Sequence, residues 1–493
     1  MEEENGLKLA LISVQENGDP RNRDCGSGER KKIDEIKTQI ALAGPLIAVN
    51  LFQQSLCVIS LMFVGHLGEL SLSGASLATS FANATGFSLL SGMGSTLETL
   101  CGQAYGAKQY HMLGIYMQRA LLVLSLFCVP LTFIWASTTT VLKAMGQDIE
   151  ISEEAGSFIK WMIPSLFANA VLLIHSRFLQ TQNIVLPMMI TAGFTALSHI
   201  ITCWALVFKC GLGSKGAAMA ISISYYVNAI LLVLYVKFSP ACKMTWSGFS
   251  KESFHDLSGF LRLGIPSAAM ICLQWWSFEL LVFMSGLLPN PKLETSILSI
   301  SLNTSSFIYM IPYGLSGAIS TRVSNELGAG RPQVARFAVG VAVQMALAMS
   351  ILVAVTLILL RHVLGQAYSK EEEVVDYMSQ MIPLLATSVS FDGVNCVLSG
   401  TARGCGWQEL GAFVNLGAYY IVGIPAAIAL AFVLHMGGKG LWMGITCGLL
   451  VQMVVFVSIT LCTDWEQQAQ KARERIYNLT LPLDMVLSED HTM

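Results

Sequence analysis

Twelve stretches of about 20 or more mostly apolar residues follow one another along this chain, and few folds accept such a pattern. A bilayer core about 30 Å thick needs roughly 20 apolar residues per helical crossing. At that depth the backbone polar groups must be satisfied within the helix itself. The spans fall at approximately 38–64, 72–101, 114–142, 157–179, 185–208 and 216–238, then 260–288, 295–320, 335–361, 376–402, 410–434 and 440–462. Of the 493 residues, 54% are hydrophobic and only 12% charged, with a mean hydropathy of +0.59. A soluble domain carries roughly 25% charge, so most of this surface must face lipid. The predicted fold class is an all-α membrane protein with twelve transmembrane helices. No nucleic-acid partner is expected, and the formal charge of −3 gives no reason for one.

The spans divide the chain into an N-terminal tail (1–35), a first six-helix lobe (36–238), a linker (239–259), a second lobe (260–462) and a charged C-terminal tail (463–493). The first 35 residues hold no apolar stretch after a basic start, so no cleavable signal is expected and insertion begins at the first span. With the N-terminus inside, cytosolic segments hold 21 of the 29 Lys and Arg residues, which predicts that both termini are cytosolic. The sequon Asn478-Leu-Thr480 is then expected to stay unglycosylated. The 12 Cys residues lie mostly within apolar runs without CxxC spacing, as small packing residues do.

An internal repeat adds the next constraint. Gly213-Ser-Lys-Gly-Ala-Ala-Met-Ala-Ile221 matches Gly437-Gly-Lys-Gly-Leu-Trp-Met-Gly-Ile445, and Gly92 through Ala107 resembles Gly314 through Ala329. Met162-Ile-Pro164 recurs as Met381-Ile-Pro383, and Gly44-Pro45 echoes Gly264-Ile-Pro266, all at offsets of about 220 residues. Two homologous six-span halves insert with the same orientation. They are expected to be related by a pseudo-two-fold along the membrane normal, with a central cavity between them. That architecture suits alternating access.

Ionisable residues inside the spans are few, and each is a functional hypothesis by default. Glu279 sits within the seventh span and Asp392 within the tenth, with no Lys or Arg a helical turn away. A carboxyl without a counter-ion at that depth favours its neutral form, so the two form a candidate proton-coupling pair. In the repeat they fall opposite about Val58 and Leu173, so only the second half carries the acids. Glu98, near the cytosolic end of the second span, reads as a gate or a partner of loop backbone. Arg177 and Arg322, also near cytosolic ends, read as headgroup anchors. Asn50, Gln53, Gln54, Asn303, Ser305, Ser306 and Tyr309 are cavity candidates, and Asn303 and Tyr309 are expected to share a network with the carboxylates; each would serve equally as an interhelical hydrogen bond. Trp275 and Trp276 offer an aromatic wall or lipid-facing packing. Pro45, Pro164, Pro266, Pro312, Pro383 and Pro425 mark bends. There is no GxxxxGK[ST] loop, no HExxH and no metal-ligand spacing among the eight His residues. Energy is therefore expected from an ion gradient, with no cofactor or metal.

Glu98-Thr-Leu-Cys-Gly-Gln-Ala-Tyr-Gly-Ala107, Ser320-Thr-Arg-Val-Ser-Asn-Glu-Leu-Gly-Ala-Gly330, Leu398-Ser-Gly-Thr-Ala-Arg-Gly-Cys-Gly-Trp-Gln408 and Gly438-Lys-Gly-Leu-Trp-Met-Gly444 resemble the plant-type multidrug and toxic compound extrusion (MATE) transporters. The resemblance covers about 36–462. It implies a V-shaped pair of six-helix lobes that exports organic small molecules, xenobiotics or secondary metabolites, in exchange for protons or sodium. It also implies an essential Glu in the seventh helix and an Asp in the tenth, which match Glu279 and Asp392. Bacterial relatives often carry an Asp in the first helix, where this sequence has Asn50. Coupling through the second lobe, by protons in preference to sodium, is the resulting expectation. A sodium-coupled exporter and a lipid-linked flippase of the same superfamily are the alternatives within transport. The flippase reading expects cationic residues clustered in the cavity, and the sequence shows no such internal cluster. A polytopic membrane enzyme is the alternative from another class. A monomer in the plasma or vacuolar membrane is expected.

Overall fold

The computed structural model describes residues 28–361, 363–364 and 372–478; the tail sequon at 478–480 runs beyond them. All regular structure among the described residues is helical. The first half comprises α1 (Gly28–Gly65), a second crossing in pieces α2 (Glu69–Ala82), α3 (Ser88–Gly94) and α4 (Thr96–Gly106), then α5 (Tyr110–Ala136), a short α6 (Thr138–Ala144), α7 (Ile149–Thr181), α8 (Leu186–Trp204) and α9 (Gly213–Phe238). The second comprises α10 (Leu257–Ser285), α11 (Pro291–Gly328), α12 (Pro332–Leu359), α13 (Glu372–Cys405), an eleventh crossing with α14 (Gln408–Asn415) and α15 (Ile424–Ile428), and α16 (Gly437–Cys462). A final helix, α17, covers Trp465–Asn478.

Ten of these crossings are long and apolar enough to span a membrane on their own. The other two are the second crossing, broken by a π-turn at Asn83–Phe87, and α11, 38 residues long. Both carry polar side chains into the interior, among them Thr96, Glu98, Ser316, Ser320 and Glu326. Packing among neighbouring helices keeps those groups away from lipid, and Glu98 and Glu326 are held in ion pairs, so these two crossings need less hydrophobicity than the others.

The repeat is visible in the backbone. Left-handed residues recur at matching places in the two halves: Lys108 with Gly330, Asn183 with Gly406, Gly211 with His435, and Gly213 with Gly437. π-turns at Ala205–Lys209 and Ala429–Val433 also correspond. Five of the six expected prolines lie inside α-helices, and so does Pro130. Pro425 differs: it opens α15 directly after a π-turn at Leu416–Gly423, whose wider winding accommodates a residue without an N–H. Local signals set helix starts, as where the Asp148 carboxylate accepts from the N–H groups of Glu150 and Ile151 at 2.9 and 3.1 Å.

Two crossings join the halves through close approach of small residues, the means available where lipid removes the hydrophobic drive between helices. A Cβ at Gly106 would strike the Asn325 carbonyl, and one at Gly328 would strike the Gln103 backbone, so α4 and α11 cross at van der Waals distance. Farther along, Ser95 and Ser267 share a 2.7 Å hydrogen bond, and the Trp276 indole donates to the Ala84 carbonyl at 2.7 Å. The charged tail after Asp464 also carries an apolar stripe. There α17 buries Trp465, Ala469, Ala472 and Ile476 along one face, at a spacing readable in the sequence.

Candidate functional site

A cavity of about 170 Å³ lies between the halves. The first half lines it from α1, the π-turn at 83–87, α3, the C-terminal part of α7, Met188 of α8 and Tyr225 of α9; the second contributes Trp275 of α10 and Tyr309, Met310, Tyr313 and Gly317 of α11. Asn50, Gln53, Gln54 and Tyr309 all line it. They reach it because α1 and α11 face each other: Ile47 packs where a Cβ on Gly314 would sit. Tyr309 stacks on Tyr313, ring centroids 5.7 Å apart. Trp275 also lines the cavity, while Trp276 is 45% exposed. Asn303 is exposed on α11 and is not among the lining residues, so the network expected for it with the carboxylates is not formed there.

At the end of the molecule that carries the described chain ends, the cavity closes on an ion cluster. The Glu98 carboxylate, fully buried on α4, lies 2.8 Å from Arg177 of α7 and 2.9 Å from Arg403 of α13. Arg403 also donates to Ser316 Oγ at 2.8 Å, and Arg177 donates to Gln180 Oε1 at 2.7 Å and to the Tyr313 hydroxyl at 2.9 Å. Around it, Gln408 donates to Thr99 at 2.6 Å, Gln103 donates to the Gly404 carbonyl at 3.2 Å, and Thr99 donates to the Arg403 carbonyl. A second layer nearer the chain ends sets Arg322 between Glu35 at 3.0 Å and Glu326 at 2.5 Å, with Arg331 on Glu326 at 2.6 Å. Glu98 and Glu35 belong to the first half, Arg403 and Arg322 to the second, so both layers bridge the halves.

Three expectations are corrected here. Arg177 is not a headgroup anchor: its side chain is 11% exposed and committed to Glu98 and Tyr313. Arg322 likewise turns inward to two carboxylates. Glu98 is held by two guanidinium groups, not by loop backbone, and together with Arg177 and Arg403 it forms the internal charged cluster that the sequence reading did not see. The three residues are 79 to 305 positions apart, and nothing in their spacing brings them together.

The second half encloses Asp392. On α13, and 7% exposed, it receives a 3.4 Å hydrogen bond from Gln274 Nε2 of α10. Tyr309 and Tyr419 are close enough to interact electrostatically with it. From Tyr419 a buried chain runs on: its hydroxyl donates to Gln452 at 2.8 Å, Gln452 to Asn415 at 2.7 Å, and Asn415 to the Met270 carbonyl at 2.6 Å. The partner of Asp392 on α10 is Gln274, not Glu279. Glu279 is half-buried, and no described residue forms a hydrogen bond or ion pair with it. Sequence reasoning missed Gln274, Asn415, Tyr419 and Gln452, although a lone amide in an apolar span was a readable signal for Gln274, Asn415 and Gln452. Among the described residues no group of three or more His, Cys, Asp or Glu is placed to hold a metal.

Two similar helical lobes, joined at one end around a cavity, define a multi-pass membrane transporter of small molecules. The MatE family model matches the chain twice, over 45–205 and 266–429, once per half. Protein DETOXIFICATION 16 of Arabidopsis thaliana is 56% identical over 463 residues, covering 94% of this chain and 95% of the relative. Protein DETOXIFICATION 14 of the same organism is 49% identical over 466 residues, covering 94% and 95%. The crystal structure of the eukaryotic MATE transporter AtDTX14 superposes with a TM-score of 0.88 at 50% identity, over 90% of this chain and 99% of that one. A multidrug resistance MATE family transporter of the MOP superfamily, in an outward-facing conformation, aligns with a TM-score of 0.77 at 16% identity, over 90% and 96%, a likeness of fold alone. The chain belongs to the MatE family and is a multidrug efflux transporter, not an enzyme.

Proposed function

We infer that this transporter exports organic small molecules from the cytosol in exchange for protons, with both termini cytosolic. The observation that carries the reading is Asp392: a carboxyl enclosed in the second half, hydrogen-bonded by Gln274 and within electrostatic reach of two tyrosines, with no cation paired to it among the described residues. A bare carboxylate is costly in such a setting, so the site suits a group that takes up and releases a proton. Tyr309 links it to the cavity, since the same side chain lines that space and interacts electrostatically with Asp392. A proton arriving from the acidic side neutralises Asp392 and alters what Tyr309 and α11 contact. Glu279, farther along α10, is the second acid of the pathway. The Glu98 cluster is the cytosolic gate, since Arg403 can leave Glu98 only if the halves part.

Proteoliposomes with an imposed pH gradient test this with a fluorescent organic substrate. Glu279→Gln and Asp392→Asn are each expected to lower gradient-driven transport at least tenfold while the protein still folds and binds substrate. Undiminished proton-driven transport in both variants would overturn the mechanism. Equal drive from a sodium gradient at constant pH would replace the proton with sodium.

A further inference from the structure

We propose that the cavity selects aromatic organic anions, and that Arg177 is the residue that recognises their negative charge. The inference rests on the transporter reading above and adds the substrate class.

The argument is one of charge inventory. Among the residues lining the cavity, Arg177 is the sole member of the Asp, Glu, Lys, Arg and His set. The rest of the polar lining is neutral, made of amides such as Asn50, Gln53 and Asn169 and hydroxyls such as Tyr309 and Tyr313. A cavity for organic cations needs a carboxylate or an uncompensated aromatic cage. The carboxylate paired with Arg177 is Glu98, fully buried and shared by two arginines, and Asp392 is not among the lining residues. One negative charge against two positive charges leaves the cluster with a net charge of +1. Glu35, Glu326, Arg322 and Arg331 do not supply the missing negative charge, because those four balance each other. An uncompensated buried charge is expensive, and an anion in the cavity relieves it. Arg177 lines the cavity and keeps 11% of its side chain exposed, so its guanidinium is within reach of a bound anion. A guanidinium is also the side chain best shaped to hold a carboxylate.

The aromatic part of the ligand follows from the walls. Tyr309 and Tyr313 stack with their planes 28° apart, and the Arg177 guanidinium lies 5.9 Å from the Tyr313 ring centroid. Trp275 and Phe87 face the same space. A flat ring carrying one carboxylate meets rings on its faces and the guanidinium at its charged edge.

The site also couples binding to conformation. Only with Arg403 docked on Glu98 does the cluster carry its excess positive charge; once the halves part, Arg177 and Glu98 neutralise each other. An anion therefore binds best when the cytosolic side is closed, and its departure removes the charge that favoured closure.

Binding to the purified protein in lipid nanodiscs tests the proposal independently of proton coupling. The probes are 4-hydroxycinnamate, its methyl ester and phenyltrimethylammonium, read by tryptophan quenching near neutral pH, where a carboxylic acid is ionised. The expected result is about tenfold tighter binding of the acid than of the ester, and weaker binding still of the cation. Arg177→Gln is expected to erase the acid's advantage while ester affinity stays within about twofold, and Arg177→Lys to restore part of it. Equal binding of acid and ester, a preference for the cation, binding of none of the three, or an unchanged preference in Arg177→Gln would each overturn the assignment. Loss of proton-driven transport with this charge preference intact would sink the proton-exchange reading and leave the present one standing.

Discussion

Glu98 shows how much one buried side chain decides. Among the described residues its carboxylate is the only acid paired with Arg177 and Arg403, and all three side chains are 0 to 11% exposed. Replacing it with Gln leaves two guanidinium groups facing each other with no counter-charge. Removing one partner of a buried ion pair costs about 3–5 kcal/mol. We therefore expect Glu98→Gln to lower the thermal unfolding midpoint of the detergent-purified protein markedly. Export is expected to fall with it, because the joint between the halves is weakened. A midpoint within a degree of wild type would show that the cluster does not hold the structure together. The sequence located Glu98 within its span correctly but assigned it the wrong partners. Charge and depth can be read along a helix, whereas a partner 305 residues away depends on how the helices are packed.

At the scale of elements, α17 joins the two halves from outside the membrane helices. Arg475 donates to Gln103 Oε1 of α4 at 2.7 Å, Trp407 donates to Gln468 at 3.0 Å, and Gln333 of α12 donates to Glu466 at 3.2 Å. It touches first-half and second-half residues at the closed end, so it acts as a strap over the joint. Ending the chain before Asp464 is expected to shift the population toward a cytosol-open form. A Cys placed in the cavity at Ser176, in an otherwise Cys-free protein, reports this: maleimide added from the termini-bearing side reacts several-fold faster in the truncated protein. Equal rates would leave α17 as decoration. The second crossing gives the opposite lesson in legibility. Its apolar run announced a helix, but the break at Asn83–Phe87 follows from packing, because Trp135 fills the space where a Cβ on Gly86 would be and donates to Thr85 at 3.0 Å.

For the molecule as a whole, orientation is the claim most open to direct measurement. Cys210, between α8 and α9, and Cys462, at the end of α16, are both exposed and lie at opposite ends of the bundle. With cytosolic termini, an impermeant maleimide applied outside intact cells labels a single-Cys protein at Cys210 and spares one at Cys462. The reverse pattern inverts the topology. The twelve spans, the duplication and the acids at 279 and 392 were all readable in the linear order of residues. Span length answers to bilayer thickness, repeats survive as motifs, and a charge in an apolar run is conspicuous by itself. The pairing of Asp392 with Gln274, the two-arginine hold on Glu98 and the single positive charge facing the cavity were not readable. Each brings together side chains from different helices, 79 to 305 residues apart. Sequence by itself determined how many helices cross the membrane and which of them carry acids. Only the tertiary structure decided which charges meet, because in lipid helices associate through close fit and paired polar groups, and that fit is a property of surfaces, not of the order of residues along the chain.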